Sequence, residues 1–177
     1  MRKITLLTLL LITTGCYYDV DPPVIKVEPK IGTNNVLLVS KEFKYFGTDP
    51  KTKRKLWELI AEKSVIYKNN EVDLENVEIK FFKNNNLSSV LKGKVGKIHT
   101  EKNRAEIRDN VVLENYENET KVYSSRLIWD GNKRIIYNTE SDKTTIVSPT
   151  AKLKGTGLRT TPDMSPLELK NVEALVE

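Results

Sequence analysis

The residues best placed to do chemistry stand near the start of the chain. Met1-Arg2-Lys3 sets two positive charges ahead of an apolar run from Ile4 to Ile12, and Thr13-Thr14-Gly15-Cys16 follows. A charged start, a short apolar stretch and a small residue at the cleavage point make up a secretory signal. A small residue directly before a lone cysteine is the lipobox arrangement. Its thiol is the nucleophile that takes a diacylglyceryl group, and cleavage then leaves Cys16 as the first mature residue. Thr13 stands three residues before the cysteine, where leucine is usual. Two other readings stay open: an ordinary cleaved signal beside a chance cysteine, and an uncleaved anchor. The apolar run is shorter than the ~20 residues a bilayer span needs, which argues against the anchor.

Cys16 is the single cysteine. No disulfide can form within the chain and no cysteine-based metal site can be built. A lone exposed thiol is a liability in an exported protein, and acylation removes it. One acyl chain anchors marginally and several anchor stably, so the lipid on Cys16 can hold the mature chain at a membrane.

Other reactive groups are sparse. His99 is the only histidine, and it lies in a polar stretch that reads as an exposed strand end. There is no Gly-x-Ser-x-Gly elbow and no metal-ligand spacing. Gly93-Lys94-Val95-Gly96-Lys97 has glycines and lysines without the spacing of a phosphate loop. These observations argue for a protein that is not an enzyme and uses no cofactor or metal. The net charge of +5 falls to about +3 once Arg2 and Lys3 leave. That modest excess suits a surface near anionic headgroups and is no nucleic-acid footprint.

The elements that must position any site read as strands. Residues 1–15 form the signal, and residues 16–35 form a lipidated start and a linker with Asp21-Pro22-Pro23, Pro29 and Gly32. Prolines favour extended chain, so this segment is a spacer. Residues 36–177 form one domain, with alternation from Val36 onward. Trp57, Leu59 and Ala61 alternate with Glu58 and Glu62. Polar punctuation recurs about every ten residues, at Asn69-Asn70, Asn84-Asn85-Asn86, Lys102-Asn103, Asn118-Glu119, Asp130-Gly131-Asn132 and Ser141-Asp142, a rhythm that indicates an antiparallel sandwich, jelly roll or barrel. The best helix candidate, Ser165 to Leu169, is short.

One pattern recurs: Leu74-Glu75-Asn76-Val77-Glu78-Ile79, then Ile107-Arg108-Asp109-Asn110-Val111-Val112-Leu113, then Leu169-Lys170-Asn171-Val172-Glu173-Ala174. A unit of about 30 residues, with the third copy two units on, fits stacked strand pairs. The asparagine is expected to mark a bend or bulge where one face is re-aimed. The plainer alternative is that Asn-Val is common in an Asn-rich chain.

Phe43-Lys44-Tyr45 with Leu56-Trp57-Glu58-Leu59-Ile60-Ala61 resembles the opening hairpin of the LptC family of lipopolysaccharide-export components, whose fold is shared by OstA-like domains. Leu74-Glu75-Asn76-Val77, Ile107 to Leu113, Ser124-Ser125-Arg126-Leu127-Ile128-Trp129-Asp130 and Lys154-Gly155-Thr156-Gly157-Leu158 resemble its later strands in order. The resemblance runs from about Val36 to Val172. Many members hold on by a transmembrane helix, where this chain carries a lipobox. The resemblance implies a twisted, partly open antiparallel β-jelly roll with an apolar groove. It also implies lipopolysaccharide as cargo, received from an inner-membrane ABC transporter and passed to a periplasmic OstA-like bridge protein. The place would be the periplasmic side of the inner membrane, with the outer membrane left open.

Alternation gives the inward set expected to line the groove: Phe43, Tyr45, Trp57, Leu59, Leu74, Ile79, Phe81, Leu91, Val95, Ile107, Val111, Leu113, Val122, Leu127 and Trp129. Each could equally be plain core. Gly155, Gly157 and Leu158 are expected at a docking edge, or in an ordinary turn. The N-terminal edge, around Val36 to Phe46, would face the transporter, and the C-terminal edge, around Leu158 to Val172, the bridge. Lys51, Lys53, Arg54 and Lys55 form a basic cluster that reads as a solvated hairpin tip, with lipid phosphates as the other possible contact. Two rival readings remain: a structural or binding lipoprotein with a filled β-sandwich core, and an OstA-like bridge protein, which Cys16 disfavours.

Overall fold

The structure, a computed structural model, describes residues 35–175. The expected signal, the lipidation site at Cys16 and the linker lie outside the described residues.

Eleven strands follow the turns that the polar punctuation marks: β1 Val36–Ser40, β2 Phe43–Thr48, β3 Lys55–Tyr67, β4 Glu71–Lys83, β5 Asn86–His99, β6 Arg104–Asn115, β7 Thr120–Asp130, β8 Ile135–Tyr137, β9 Lys143–Ser148, β10 Ala151–Thr160 and β11 Leu167–Leu175. All pair antiparallel in one sheet. β1 and β2 lie end to end along β3, and β8 and β9 lie end to end between β7 and β10. The chain is therefore a meander in which each lane neighbours the next. Asn70, Asn84, Asn85 and Asn103 take positive φ in the connections, which short polar side chains tolerate best.

The meander is folded once across all its lanes. Along β3, Leu59 and Ala61 are buried, then Ser64, while Glu62 and Lys63 between them both face out. On β4 the outward pair is Glu75-Asn76, between Leu74 and Val77. On β5 it is Lys94-Val95, between Gly93 and Gly96, and on β6 Arg108-Asp109-Asn110, between Ile107 and Val111. These steps are in register: Lys63, Glu75, Val95, Arg108 and Arg126 are successive cross-strand partners on five neighbouring strands. A strand alternates with period two, so two successive outward residues reset its phase and turn it through a corner. Asn76 and Asn110 stand beside this row with left-handed backbone, at φ 51° and 55°, and Asn171 on β11 has the same conformation at 46°. Register shifts at Asp109-Asn110 and near Asn171 mark bulges there. The expectation that each Asn-Val marks a re-aimed face describes what the backbone does.

The corner brings the two halves of the sheet face to face. Leu59, Ile79, Leu91, Leu113 and Val122 from one half share a core with Leu74, Ile107, Leu127, Ile136 and Leu158 from the other. Each such side chain stabilises by about 1.5–3 kcal/mol on burial. At the corner the inner face of β5 carries glycine alone. A Cβ on Gly93 would lie 2.5 Å from Ile107 Cγ2, and one on Gly96 2.7 Å from Val77 Cγ2, so the fold is tight enough there to exclude a methyl.

Two expectations need correcting. Val95 is 40% exposed, because the outward pair Lys94-Val95 breaks the alternation that carried inward through Leu91. Ser165 to Leu169 is not a helix: Leu167 and Leu169 alternate with Glu168 and Lys170 as β11 pairs with β10.

Candidate functional site

Opposite the corner the two halves part, leaving a cavity of about 790 Å³. One wall comes from the ends of β2 and β3, with Tyr45, Phe46 and Trp57, and from the β4–β5 hairpin, with Phe81, Phe82 and Ser88. The facing wall comes from Trp129 near the end of β7 and from Gly131, Asn132 and Arg134 in the β7–β8 hairpin. The connection from β10 to β11 supplies Thr161, Pro162 and Asp163. Two bonds tie that connection to the first wall: Ser89 Oγ donates to the Pro162 carbonyl, and Asn115 Nδ2 donates to the Asp163 carbonyl at 2.9 Å.

Aromatic rings from the strand ends, Tyr45, Phe46, Trp57, Phe81, Phe82 and Trp129, make up the apolar part of a lining that also carries polar residues such as Asn103, Asn132 and Arg134. Tyr45 meets Trp57 at 5.3 Å between centroids, with planes at 68°, and Phe81 meets Trp129 at 4.9 Å and 69°. Both pairs are edge-on, the arrangement that ring quadrupoles favour. A register shift between Phe81 and Phe82 puts both rings at the mouth, where simple alternation would send one away. Lys55 lies over the Phe46 and Phe82 rings, 5.9 and 5.7 Å from the centroids, and pairs with Glu58 at 3.0 Å. At the rim Lys83 pairs with Glu117 and Asp163.

Within this frame the expected groove residues divide. Tyr45, Trp57, Phe81 and Trp129 line the cavity. Leu59, Leu74, Ile79, Leu91, Ile107, Val111, Leu113, Val122 and Leu127 are buried in the core behind it. Phe43 is half-buried against that core, and Val95 faces solvent. Sequence reasoning missed Phe46, Phe82, Ser88, Arg134 and the Thr161–Asp163 segment. Only the Phe81-Phe82 pair beside a turn hinted at them.

Gly155, Gly157 and Leu158 are not at an edge. They lie on β10, which has β8 and β9 on one side and β11 on the other. Leu158 is a core residue whose backbone N–H donates to Asn138 Oδ1 at 2.7 Å. Gly157 turns the strand with φ 61°, and a Cβ on Gly155 would lie 2.6 Å from the Lys170 carbonyl oxygen of β11. The free edges among the described residues are β1 with β2, and β11. They expose Leu37, Phe46 and Val172.

A polar network holds the β8–β9 break at the corner. Arg126 Nη2 and the Thr139 N–H donate to Asp142 Oδ2 at 2.8 and 2.9 Å. Burial pushes the Asp142 carboxyl up, but the bonds from Arg126 and Thr139 and the guanidinium charge outweigh it and hold the group below the usual aspartate value. His99 ends β5 half-buried, with Nδ1 3.2 Å from Glu71 Oε1. Lys51, Lys53 and Arg54 lie exposed in the β2–β3 turn, where Asp49 accepts the Lys51 and Thr52 N–H groups.

Fold and mouth together define a β-jelly roll with an aromatic cavity at the open end of its core, a shape that can shelter an apolar ligand from water. The chain belongs to the LptC family: it matches the family described as lipopolysaccharide-assembly, LptC-related, over residues 5–177. Comparison with curated proteins returns no match. The family is a component of lipopolysaccharide transport associated with the periplasmic side of the inner membrane and is not a known enzyme family.

Proposed function

We propose that this chain carries lipopolysaccharide across part of the periplasm by sheltering its acyl chains. The observation that carries the reading is the cavity with aromatic walls that abuts the apolar core at Phe81 and Trp129. Each methylene moved from water into such surroundings is worth about 0.8 kcal/mol, so an acyl chain needs a wall of this kind while its sugars stay wet. In this reading chains enter the cavity between Tyr45, Phe82 and Trp129.

The handover runs from an inner-membrane ABC transporter to an OstA-like bridge protein. The edges suit it: β1 with β2 and β11 each offer unpaired backbone groups that a like-folded partner could extend by strand addition. In this scheme β1 with β2 face the transporter and β11 faces the bridge, and the lipid on Cys16 keeps the domain at the membrane.

The test is titration of the purified full chain with lipopolysaccharide while its fluorescence is followed. Trp57 and Trp129 are the only two tryptophans, and both line the cavity. A saturable blue shift supports the reading. An emission spectrum unchanged at saturating lipopolysaccharide overturns it.

A further inference from the structure

Two buried polar groups have no part in an apolar reading of the cavity. Ser88 is 7% exposed and Trp129 4%, and both line the cavity. Neither Ser88 Oγ nor Trp129 Nε1 has a hydrogen-bond partner among the described residues. Buried polar groups are nearly always paired, and those that are not call for an explanation. The neighbouring Ser89 shows the ordinary solution, since its hydroxyl donates to the Pro162 carbonyl. Apolar walls alone would be served as well by alanine and phenylalanine.

The chemistry of the two groups limits what they recognise. The indole N–H only donates, and a serine hydroxyl can donate. Both are neutral, and Phe81 packs edge-on against Trp129. An ionised phosphate or carboxylate would lose its hydration against these buried neutral donors, because the cations that line the cavity, Lys83 and Arg134, are exposed residues. A carbonyl oxygen is neutral, needs donors and offers two lone pairs. The carbonyls that travel with acyl chains are those of their ester or amide linkages.

We propose that Ser88 and Trp129 form a carbonyl-binding subsite that holds the ester or amide linkage of an acyl chain at the cavity mouth. This rests on the acyl-chain reading above and adds to it a depth stop. The tail lies toward the core, and the linkage rests against Ser88 and Trp129 with the head outside.

The test compares two small amphiphiles that differ by one carbonyl: the glycerol ester of dodecanoic acid and dodecyl glyceryl ether. Each is titrated below its micelle-forming concentration into the full chain, with tryptophan fluorescence as the readout. The ester is expected to bind about tenfold tighter than the ether. Ser88→Ala and Trp129→Phe should each shrink that preference. The double variant, read through Trp57, should bring the two ligands to parity. Equal binding of ester and ether by the unaltered chain overturns the subsite and leaves the apolar cavity standing. Binding of neither overturns the cavity reading as well. The ester-to-ether ratio of the unaltered chain decides the matter even if a variant fails to fold.

Discussion

The ring of Phe81 meets Trp129 edge-on, 4.9 Å between centroids, although the two side chains come from opposite halves of the folded sheet. This contact closes the core where the cavity begins. Removing it should loosen the closure and enlarge the mouth together. Phe81→Ala is expected to cost about 3–5 kcal/mol, read from the urea midpoint at unchanged slope. A loss below about 1 kcal/mol would mean that the halves are held together elsewhere.

The corner depends on backbone that few residues adopt. Asn110 has φ 55°, and a β-branched residue there is strained where glycine is not. Asn110→Val should destabilise by about 1–3 kcal/mol, and Asn110→Gly by much less, as thermal melting would show. Equal losses would assign the effect to the lost side chain instead of the backbone.

How much of this could be read beforehand follows from local chemistry. Turns were legible because asparagine and aspartate mark them, and the corner because Asn-Val recurs at Asn76, Asn110 and Asn171. Core residues such as Leu59, Ile79 and Leu113 were legible from alternation. Val95 was not, because the step at Lys94-Val95 contains no asparagine and alternation was carried straight through it. Gly155, Gly157 and Leu158 were misplaced at an edge because β10 and β11 both look like late strands, while the expected C-terminal stretch to Val172 does reach the free strand β11. Only pairing shows that Gly155 and Leu158 lie beneath a further strand. The cavity mouth was assembled from chain ends far apart in sequence, and no local pattern links Ser88 to Trp129.

The network at the β8–β9 break should respond to acid. Asp142 has its pKa lowered in the folded state, so its contribution is present above the unfolded value, about 3.9, and is lost as pH falls through the folded value. Asp142→Asn should cost about 1–3 kcal/mol near neutrality, and the gap from the unaltered chain should narrow at about pH 3. Urea unfolding at the two pH values checks this, and a gap of the same size at both would contradict it.

Attachment of the last strand should turn on one missing methyl. A Cβ on Gly155 would lie 2.6 Å from the Lys170 carbonyl oxygen, and backbone cannot yield as a flexible side chain does. Gly155→Ala is expected to cost about 1–3 kcal/mol and to speed amide hydrogen exchange in β11 before that in β4 or β5. Uniform acceleration across the sheet would show that β11 is not separately held.

The most direct test of the acyl-chain reading places a photo-crosslinking residue at Phe82 or Trp57, on the cavity wall, in cells that make lipopolysaccharide. Tyr123, 43% exposed on β7, serves as the outer-face control. The account predicts lipopolysaccharide adducts at Phe82 and Trp57 that depend on ATP hydrolysis by the transporter, and none at Tyr123. A folded, membrane-associated protein with no adducts at either wall position, or with equal adducts at Tyr123, would contradict it.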